Sequence, residues 1–318
     1  MKTAIIGVGN IGRLHTRLIE ELGHDLVAVC DIDEEKLQLF SNKKTYLDYV
    51  KMLNEVEIDV VHICTPHYLH ADMIIVALEK GINVLCEKPL CIKEEDIERI
   101  ITAESRSKGI LGVCHQNRYN KENVFLKEYL KGKKAITGYG TMIWSRDAEY
   151  YRNGDWRGTW EKEGGGVLIN QALHTIDLLQ WFIGYPNTVK ASISNNTLKG
   201  IIDVEDTATI YCSDGADFTF YATNGAKYTF PVTVVLQLED ELITVLDRKV
   251  LTKNKCYDFK TSEKKYLKSC YGLGHKALIE DFYRCVKNGK KFDIDGKEAS
   301  KVIKIILNAY KEQKHNLK

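Results

Sequence analysis

Apolar residues fall in short, mostly continuous runs along the first third of the chain: Thr3–Ile6, Leu26–Cys30, Val60–Cys64, Val84–Cys86 and Ile110–Cys114. Runs of that length without alternation suit strands covered on both faces, as in a parallel sheet. The intervals between them recur with helical spacing: Asn10–Leu22 through Ile11, Leu14, Leu18 and Ile19, Tyr68–Lys80 through Leu69, Met73, Ile74, Ala77 and Leu78, and Lys93–Lys108 through Ile97, Ile100, Ile101 and Ala103. Gly109 is placed as the C-cap of the third. Strand and helix in alternation predict an α/β fold built on a doubly wound parallel sheet. Beyond residue 120 the pattern changes. Ile136–Ser145 reads as a strand, and Asp206–Tyr211 and Asp217–Thr223 flank Ser213-Asp214-Gly215, a hairpin signal. Strand-like stretches follow at Thr229–Leu238 and Glu241–Asp247, helices at Val167–Ile183, Leu278–Lys287 and Lys297–Lys311. The chain of 318 residues is thus read as two domains, 1–119 and 120–318, with the final helices free to pack back on the first.

Composition narrows the class. A hydrophobic fraction of 44% is that of a globular chain, and no run reaches the roughly 18 apolar residues of a membrane span. The apolar stretch at the N-terminus breaks at Gly7, which makes it a poor signal peptide. The net charge of +1 conceals a split: residues 1–120 carry 14 basic and 19 acidic groups, residues 251–318 carry 17 and 8. The basic excess lies in Lys253–Lys268 and on the last helix, where Lys297, Lys301, Lys304 and Lys311 recur at helical spacing. A solvated helix face accounts for them better than nucleic acid or an acidic substrate does. The nine cysteines include no C-x-x-C pair, and Cys30, Cys64, Cys86 and Cys114 sit in apolar runs. They are expected to be reduced, cytosolic thiols rather than disulfides or a metal site.

The first strand ends in Gly7-Val8-Gly9-Asn10-Ile11-Gly12, a G-x-G-x-x-G opening a helix. Gly7 permits the tight turn, Gly9 lets a pyrophosphate approach the backbone, and Gly12 lets helix and strand pack closely. The helix end offers free N–H groups and positive dipole to the phosphates. Asp31 closes the next strand, where a carboxylate reaches the adenosine ribose hydroxyls. With Asp33, Glu34 and Glu35 it repels a 2′-phosphate, so the cofactor is read as NAD rather than NADP. Two of the four prolines, Pro66 and Pro89, mark further strand ends at Cys64-Thr65-Pro66-His67-Tyr68-Leu69-His70 and Glu87-Lys88-Pro89. The first loop also reads as plain N-cap chemistry, with His67 a surface residue or a cofactor neighbour. Lys88 is either a surface lysine in a turn or a group able to polarise a substrate oxygen. Asn170, His174 and Asp177 fall at i, i+4 and i+7, one polar row on an apolar helix, which is either a satisfied buried histidine or a working one.

Taken in order, these pieces resemble the Gfo/Idh/MocA oxidoreductases, the group of glucose–fructose oxidoreductase and inositol 2-dehydrogenase. The resemblance rests on Gly7–Gly12, Asp31, Thr65-Pro66 with His70, Glu87-Lys88-Pro89, His115-Gln116-Asn117-Arg118-Tyr119, Trp156-Arg157, Gly164–Gly166, Asn170 with His174 and Asp177, and Gly274-His275 before Asp281-Phe282. It implies a Rossmann domain followed by an α+β domain with a large, mostly antiparallel sheet, one side of which forms a homodimer or homotetramer surface. It implies that Val8, Asn10, Ile11, Cys64, Thr65, Pro66, His70, Glu87, Lys88 and Gln116 border the cofactor along with the glycines and Asp31. His174 matches the family's catalytic histidine, with Lys88 assisting. Where inositol-dehydrogenase-like members commonly carry an aspartate, this chain has Asn170, which can position a hydroxyl but cannot take a proton. Arg118, Trp156, Arg157 and His275 are implied substrate contacts beside Lys88, Asn170 and His174, although an interdomain salt bridge or packed indole would explain the last three as well. The implied reaction is hydride exchange between nicotinamide and a secondary alcohol or ketone of a sugar, nucleotide-sugar or cyclitol. Two other readings share the fold: a non-enzymatic NAD-binding sensor, and a glycoside-cleaving enzyme whose bound NAD is reduced only transiently.

Overall fold

The computed structural model describes residues 1–152, 154–260 and 274–316, with side chains to 312. Cys270 and positions 261–268 of the lysine-rich stretch lie outside the described residues. The chain forms two compact units, Met1–Gln116 with the described part of Lys265–Ser300, and Asn117–Lys264 with the described part of Lys301–Lys318.

In the first unit the apolar runs become strands β1 (Lys2–Ile6), β2 (Asp25–Cys30), β4 (Val60–Ile63), β5 (Asn83–Cys86) and β6 (Leu111–Val113), and an additional strand, β3 (Lys44–Tyr46), pairs with β2. The sheet is parallel throughout, in the order β3-β2-β1-β4-β5-β6. Strand order reverses between β1 and β4, and ligands of such sheets bind beyond the carboxyl ends at that point. Helices α1 (Asn10–Glu21), α2 (Glu34–Leu37), α3 (Tyr49–Glu55), α4 (His70–Glu79) and α5 (Glu94–Arg106) connect the strands. β3 escapes the hydrophobic pattern because Lys44 and Thr45 are exposed at a sheet edge. Gly109 is not the C-cap of α5. That position belongs to Ser107, and Gly109 is needed because a Cβ there would lie 2.3 Å from the Ile82 carbonyl oxygen. Helix α9 (Gly274–Lys287) also belongs to this unit: Phe282 and Phe292 pack over Gly112 on β6 so closely that any Cβ at 112 would overlap both rings.

In the second unit eight strands form one sheet: β7 (Thr137–Ile143), β8 (Thr188–Ser194), β9 (Thr207–Ser213), β10 (Asp217–Thr223), β11 (Thr233–Gln237), β12 (Leu242–Leu246), β13 (Lys249–Leu251) and β14 (Cys256–Asp258). The order is β14-β13-β12-β11-β7-β10-β9-β8, antiparallel except for β7 beside β10. The β9–β10 hairpin turns where Asp214 and Gly215 both have positive φ. Alternation sorts the two faces. Ala208, Ile210, Cys212, Phe218, Phe220 and Ala222 are buried, whereas Tyr139, Tyr211 and Tyr221 are exposed. The buried face is covered by α8 (Leu173–Ile183), whose Leu179 and Thr175 come within 3.0 and 3.3 Å of where a Cβ at Gly140 on β7 would lie, so a side chain there would have to push them aside. Three other helices, α6 (Lys121–Tyr129), α7 (Ala148–Arg152) and most of α10 (Gly296–Asn316), complete the unit. On α10, Val302, Ile303, Ile305, Ile306 and Ala309 are buried, while Lys301 and Lys304 are half-buried and Lys297 and Lys311 exposed.

Candidate functional site

The glycine loop of the first unit is built as its spacing requires. Gly7 has φ +88°, and its backbone lies against Cys64. Gly12 touches the Gly7 carbonyl, so any side chain at 12 would separate α1 from β1. Gly9 differs: a Cβ there would meet nothing within 4 Å. Gly9 also caps α1 with no side-chain hydrogen bond, so the helix presents bare N–H groups beside open space. Those two facts are what a dinucleotide pyrophosphate requires, and the loop fits NAD.

Asp31 holds this loop as well as facing it. Its Oδ2 accepts the Val8 N–H at 2.8 Å and its Oδ1 the Asp33 N–H at 3.0 Å. Lys36 stands 3.8 Å from Asp31 and 3.0 Å from Asp33, a cation that the motif reading overlooked because it lies one helical turn away.

The loops after β4 and β5 are tied together by His70. It is fully buried, with Nδ1 2.7 Å from the Pro89 carbonyl oxygen and Nε2 2.9 Å from that of Thr65. Both ring nitrogens meet backbone carbonyls, so the residue fixes the Thr65-Pro66 and Lys88-Pro89 loops to each other. Burial depresses its pKa, while the two carbonyl acceptors favour a protonated ring. His67 is buried rather than on the surface, and Gln116 is buried at the end of β6. Lys88 is half-buried and precedes a cis peptide bond to Pro89. Glu87 is buried beside it. Burial alone would raise its carboxyl, but hydrogen bonds from His15 and His275 outweigh that and hold it well below the usual range. His275 is a buried neighbour of Glu87, its Nε2 3.5 Å from Oε1.

In the second unit the helix expected over Val167–Ile183 is not uniform. Leu168–Ala172 is a π-helical turn that runs into α8. The widened turn breaks the regular row, and its members take separate partners. Asn170 donates its amide to buried Glu163. Asp177 accepts Arg118 Nε at 2.7 Å and Nη2 at 2.6 Å. Arg118, implied as a substrate contact, is 5% exposed, lies 5.2 Å over the Trp181 ring and is held by Asp177 in a bidentate, buried pair. His174, between them on α8, remains half-buried.

Two of the three glycines that open this helix serve close approach. Gly165, at φ +146°, leaves no room for a Cβ beneath the Tyr310 hydroxyl, and Gly166 is pressed on the Glu205 carbonyl. Glu205 is the organiser that sequence reasoning missed. Its carboxylate accepts the Gly166 N–H at 2.9 Å, the Leu168 N–H at 3.0 Å and the Tyr310 hydroxyl at 2.8 Å, so it caps the segment carrying Asn170 and His174. Burial pushes its pKa up to about 7, against the pull of those donors. The folded unit therefore binds this proton more tightly than the unfolded chain, and the stability it lends is present at acid pH and lost as pH rises from about 4.5 to about 7. All four tryptophans, at 144, 156, 160 and 181, lie in this unit, so indole fluorescence reports its unfolding. In urea titrations, the stability of the protein relative to Glu205→Gln should be greater at pH 5 than at pH 8 by about 2–3 kcal/mol. A difference independent of pH would contradict the raised pKa.

Trp156 and Arg157 are half-buried in one stack, the Arg157 guanidinium 4.9 Å from the Trp156 ring and 5.1 Å from Tyr150. Tyr150 in turn accepts the Gln171 amide, and Gln171 accepts that of Asn224, a polar network absent from any motif.

Comparison with known proteins agrees with this construction. Residues 1–115 match the model described as the oxidoreductase family with NAD-binding Rossmann fold, and residues 136–245 match the GFO/IDH/MocA C-terminal domain. Inositol 2-dehydrogenase of Salmonella typhimurium is 30% identical over 191 residues, 58% of this chain and 54% of that protein. The chain thus spans about half the length of the curated relatives that match it first. The WlbA dehydrogenase of Chromobacterium violaceum, solved with NADH and UDP-GlcNAcA, superposes with a TM-score of 0.87 at 27% identity, over 99% of this chain and 94% of that one. The WlbA dehydrogenase of Bordetella pertussis, solved with the same two ligands, gives 0.85 at 25% identity, over 98% and 96%.

Proposed function

The chain belongs to the Gfo/Idh/MocA family of NAD-binding oxidoreductases, and from that premise we propose that it is a dehydrogenase acting on a secondary alcohol of a sugar, nucleotide-sugar or cyclitol. The observation that carries the reading is the carboxyl edge of the parallel sheet, where the open flank of Gly9, Asp31, the Thr65 loop and Lys88 stand around one switch point. NAD, when bound, supplies the hydride acceptor. The N–H groups of α1 and the Gly9 backbone hold its phosphates, and Asp31 its adenosine ribose. Lys88 sets positive charge against the substrate oxygen as the C–H bond breaks, and His174 takes the hydroxyl proton; in the other direction the same groups protonate a ketone. Asn170, held by Glu163, orients a neighbouring hydroxyl. Trp156 and Arg157 offer a flat, cationic stack suited to a polyol or its anionic substituent.

A panel of sugars, nucleotide-sugars and inositols, followed by NADH absorbance, tests the reading. At least one substrate should show saturable turnover; tight NADH binding with no turnover across the panel would refute it. Asp31→Ala should raise the Kd for NADH about 10- to 100-fold, since it removes a charged acceptor from both the loop and the ribose. An unchanged Kd in fluorescence titration would remove Asp31 from the cofactor site.

The exposed face carrying Tyr139, Tyr211 and Tyr221 supports a homodimer or homotetramer, because amphipathic aromatic side chains suit interfaces. Sedimentation velocity should show an oligomer that Tyr211→Glu/Tyr221→Glu dissociates, whereas a monomeric parent protein would refute the assignment. Among the described residues eight cysteines are unpaired and no helix is long and apolar enough to cross a membrane. The free thiols support a cytoplasmic location.

A further inference from the structure

Behind the Lys88 loop the first unit contains a continuous file of buried polar groups that the dehydrogenase reading does not use. Glu87 Oε2 accepts the Lys88 backbone N–H at 3.2 Å. Its other oxygen meets His15 Nε2 at 3.1 Å and His275 Nε2 at 3.5 Å. His15 Nδ1 is 2.9 Å from His62 Nδ1, His62 Nε2 is 3.1 Å from the Tyr283 hydroxyl, and that hydroxyl is 2.9 Å from Thr3 Oγ1. His15, His62 and Thr3 have no exposed surface. The file joins α1, β4, α9 and β1 to the loop after β5.

Hydrogen-bond arithmetic allows this file two arrangements. A carboxylate only accepts, so His15 Nε2 carries a hydrogen toward Glu87 in both. If His15 is neutral, its Nδ1 is an acceptor. His62 must then donate from Nδ1 and accept at Nε2 from Tyr283, which accepts in turn from Thr3. If His15 is protonated, its Nδ1 donates. His62 must then accept at Nδ1 and donate from Nε2 to Tyr283, whose hydroxyl turns to Thr3, and Thr3 donates to the Met1 carbonyl 3.5 Å away. One proton added at His15 reverses every bond behind it. His62 itself stays neutral, since burial and its cationic neighbours hold its pKa well below the usual value, and a neutral ring must choose one tautomer.

We propose that His15 is a positioning residue for Lys88: through Glu87 it fixes the backbone that carries the lysine, and its protonation is registered both at the Lys88 amide and in the tautomer of His62. The groups that face His15 are Glu87 after β5, His62 on β4 and His275 on α9; Glu87 in turn faces Cys64, Cys86 and Cys114, and Tyr283 on α9 faces His62. His24 stacks on Tyr283 at 3.7 Å. The importance of the lysine rests on the catalytic reading above, but the coupling does not, because the contacts that would carry it run wholly through side chains behind the loop.

The test is nitrogen–proton correlation spectroscopy of the full chain, labelled with ¹⁵N in histidine and in the backbone, between about pH 5 and pH 9. As His15 takes its second proton, His62 should cross from the Nδ1–H to the Nε2–H tautomer at the same midpoint, and the Lys88 amide should shift with them. Glu87→Gln removes the carboxylate that joins His15 to the Lys88 N–H and should uncouple the Lys88 amide from the His62 tautomer. His15→Gln keeps a donor toward Glu87 but cannot titrate, and should abolish the pH response of the Lys88 amide. If those variants do not fold, the unmodified protein still decides. A single His62 tautomer across the range, a Lys88 amide that ignores His15, or a stoichiometric metal ion bound by His15, Glu87 and His275 would each overturn the proposal. Full activity of Lys88→Met alongside an intact tautomer exchange would sink the catalytic role of Lys88 and leave the coupling standing.

Discussion

His174→Ala should lower kcat at least about 100-fold while leaving the Kd for NADH within about threefold, and Lys88→Met should do the same. The expectation follows from what each side chain can contribute. Imidazole is the side chain whose ordinary pKa of about 6.5 lets it both take and return a proton near neutrality, and a positioned acid or base is worth about 10²–10⁴ in rate. Asn170 cannot substitute, since its amide has no titratable proton and its nitrogen is committed to Glu163. Lys88→Met keeps the length and apolar stem of the lysine and removes only the ammonium, so its loss reads the charge rather than the packing. Neither residue belongs to the Gly7–Gly12 loop or touches the Asp31 contacts that shape it, which is why binding should survive. Loss of kcat without loss of cofactor binding is the signature of groups that act in the transition state alone. A variant at either position with parental kcat on the substrate found by the panel would refute its role.

The parallel sheet was legible because its central strands are short and mostly apolar, and because α1 follows β1 with the spacing that a phosphate loop needs. β3 was not, since Lys44-Thr45-Tyr46 buries nothing that periodicity could register. In the second unit β8 was lost for a similar reason: most of Thr188–Ser194 is only half-buried, so alternation is faint. The candidate site divides along another line. Features that depend on neighbours in sequence, such as the open flank of Gly9 at the start of α1, were readable. Roles set by partners far along the chain were not. Nothing near Arg118 in sequence announces Asp177, 59 residues away. Nothing near His70 announces the Pro89 carbonyl at its ring. Glu205 carries no motif at all, yet it holds the glycine segment before His174 through two backbone N–H groups. The regular i, i+4, i+7 row assumed an α-helix throughout, and the π turn at Leu168–Ala172 is a property of that anchored start rather than of any residue's propensity.

Asp177→Ala should destabilise the second unit by about 3–5 kcal/mol, the largest effect on stability expected of any single substitution considered for this chain. The reason is the charge left behind rather than the bond removed. Arg118 and Asp177 expose 5% and 1% of their side chains, and the guanidinium meets the carboxylate through two parallel hydrogen bonds of 2.7 and 2.6 Å. Gln180 adds a third donor to Asp177 at 3.2 Å, and Trp181 covers Arg118 on its ring face. Delete the carboxylate, and an arginine that cannot lose its proton remains in a dry site. The unit must then admit water around α8 or release Arg118 to solvent, and both loosen the helix that carries His174. Because Trp181 lies against the guanidinium, indole fluorescence should record the change directly. The urea midpoint should fall by about 1 M or more, given slopes of about 1–3 kcal/mol per molar for domains of ordinary size. Asp177→Asn retains an acceptor and should lose less. Arg118→Met/Asp177→Leu removes both charges, replaces them with apolar volume, and should recover most of the lost stability. If the double substitution were no better than Asp177→Ala, the cost would lie in packing and not in the stranded charge.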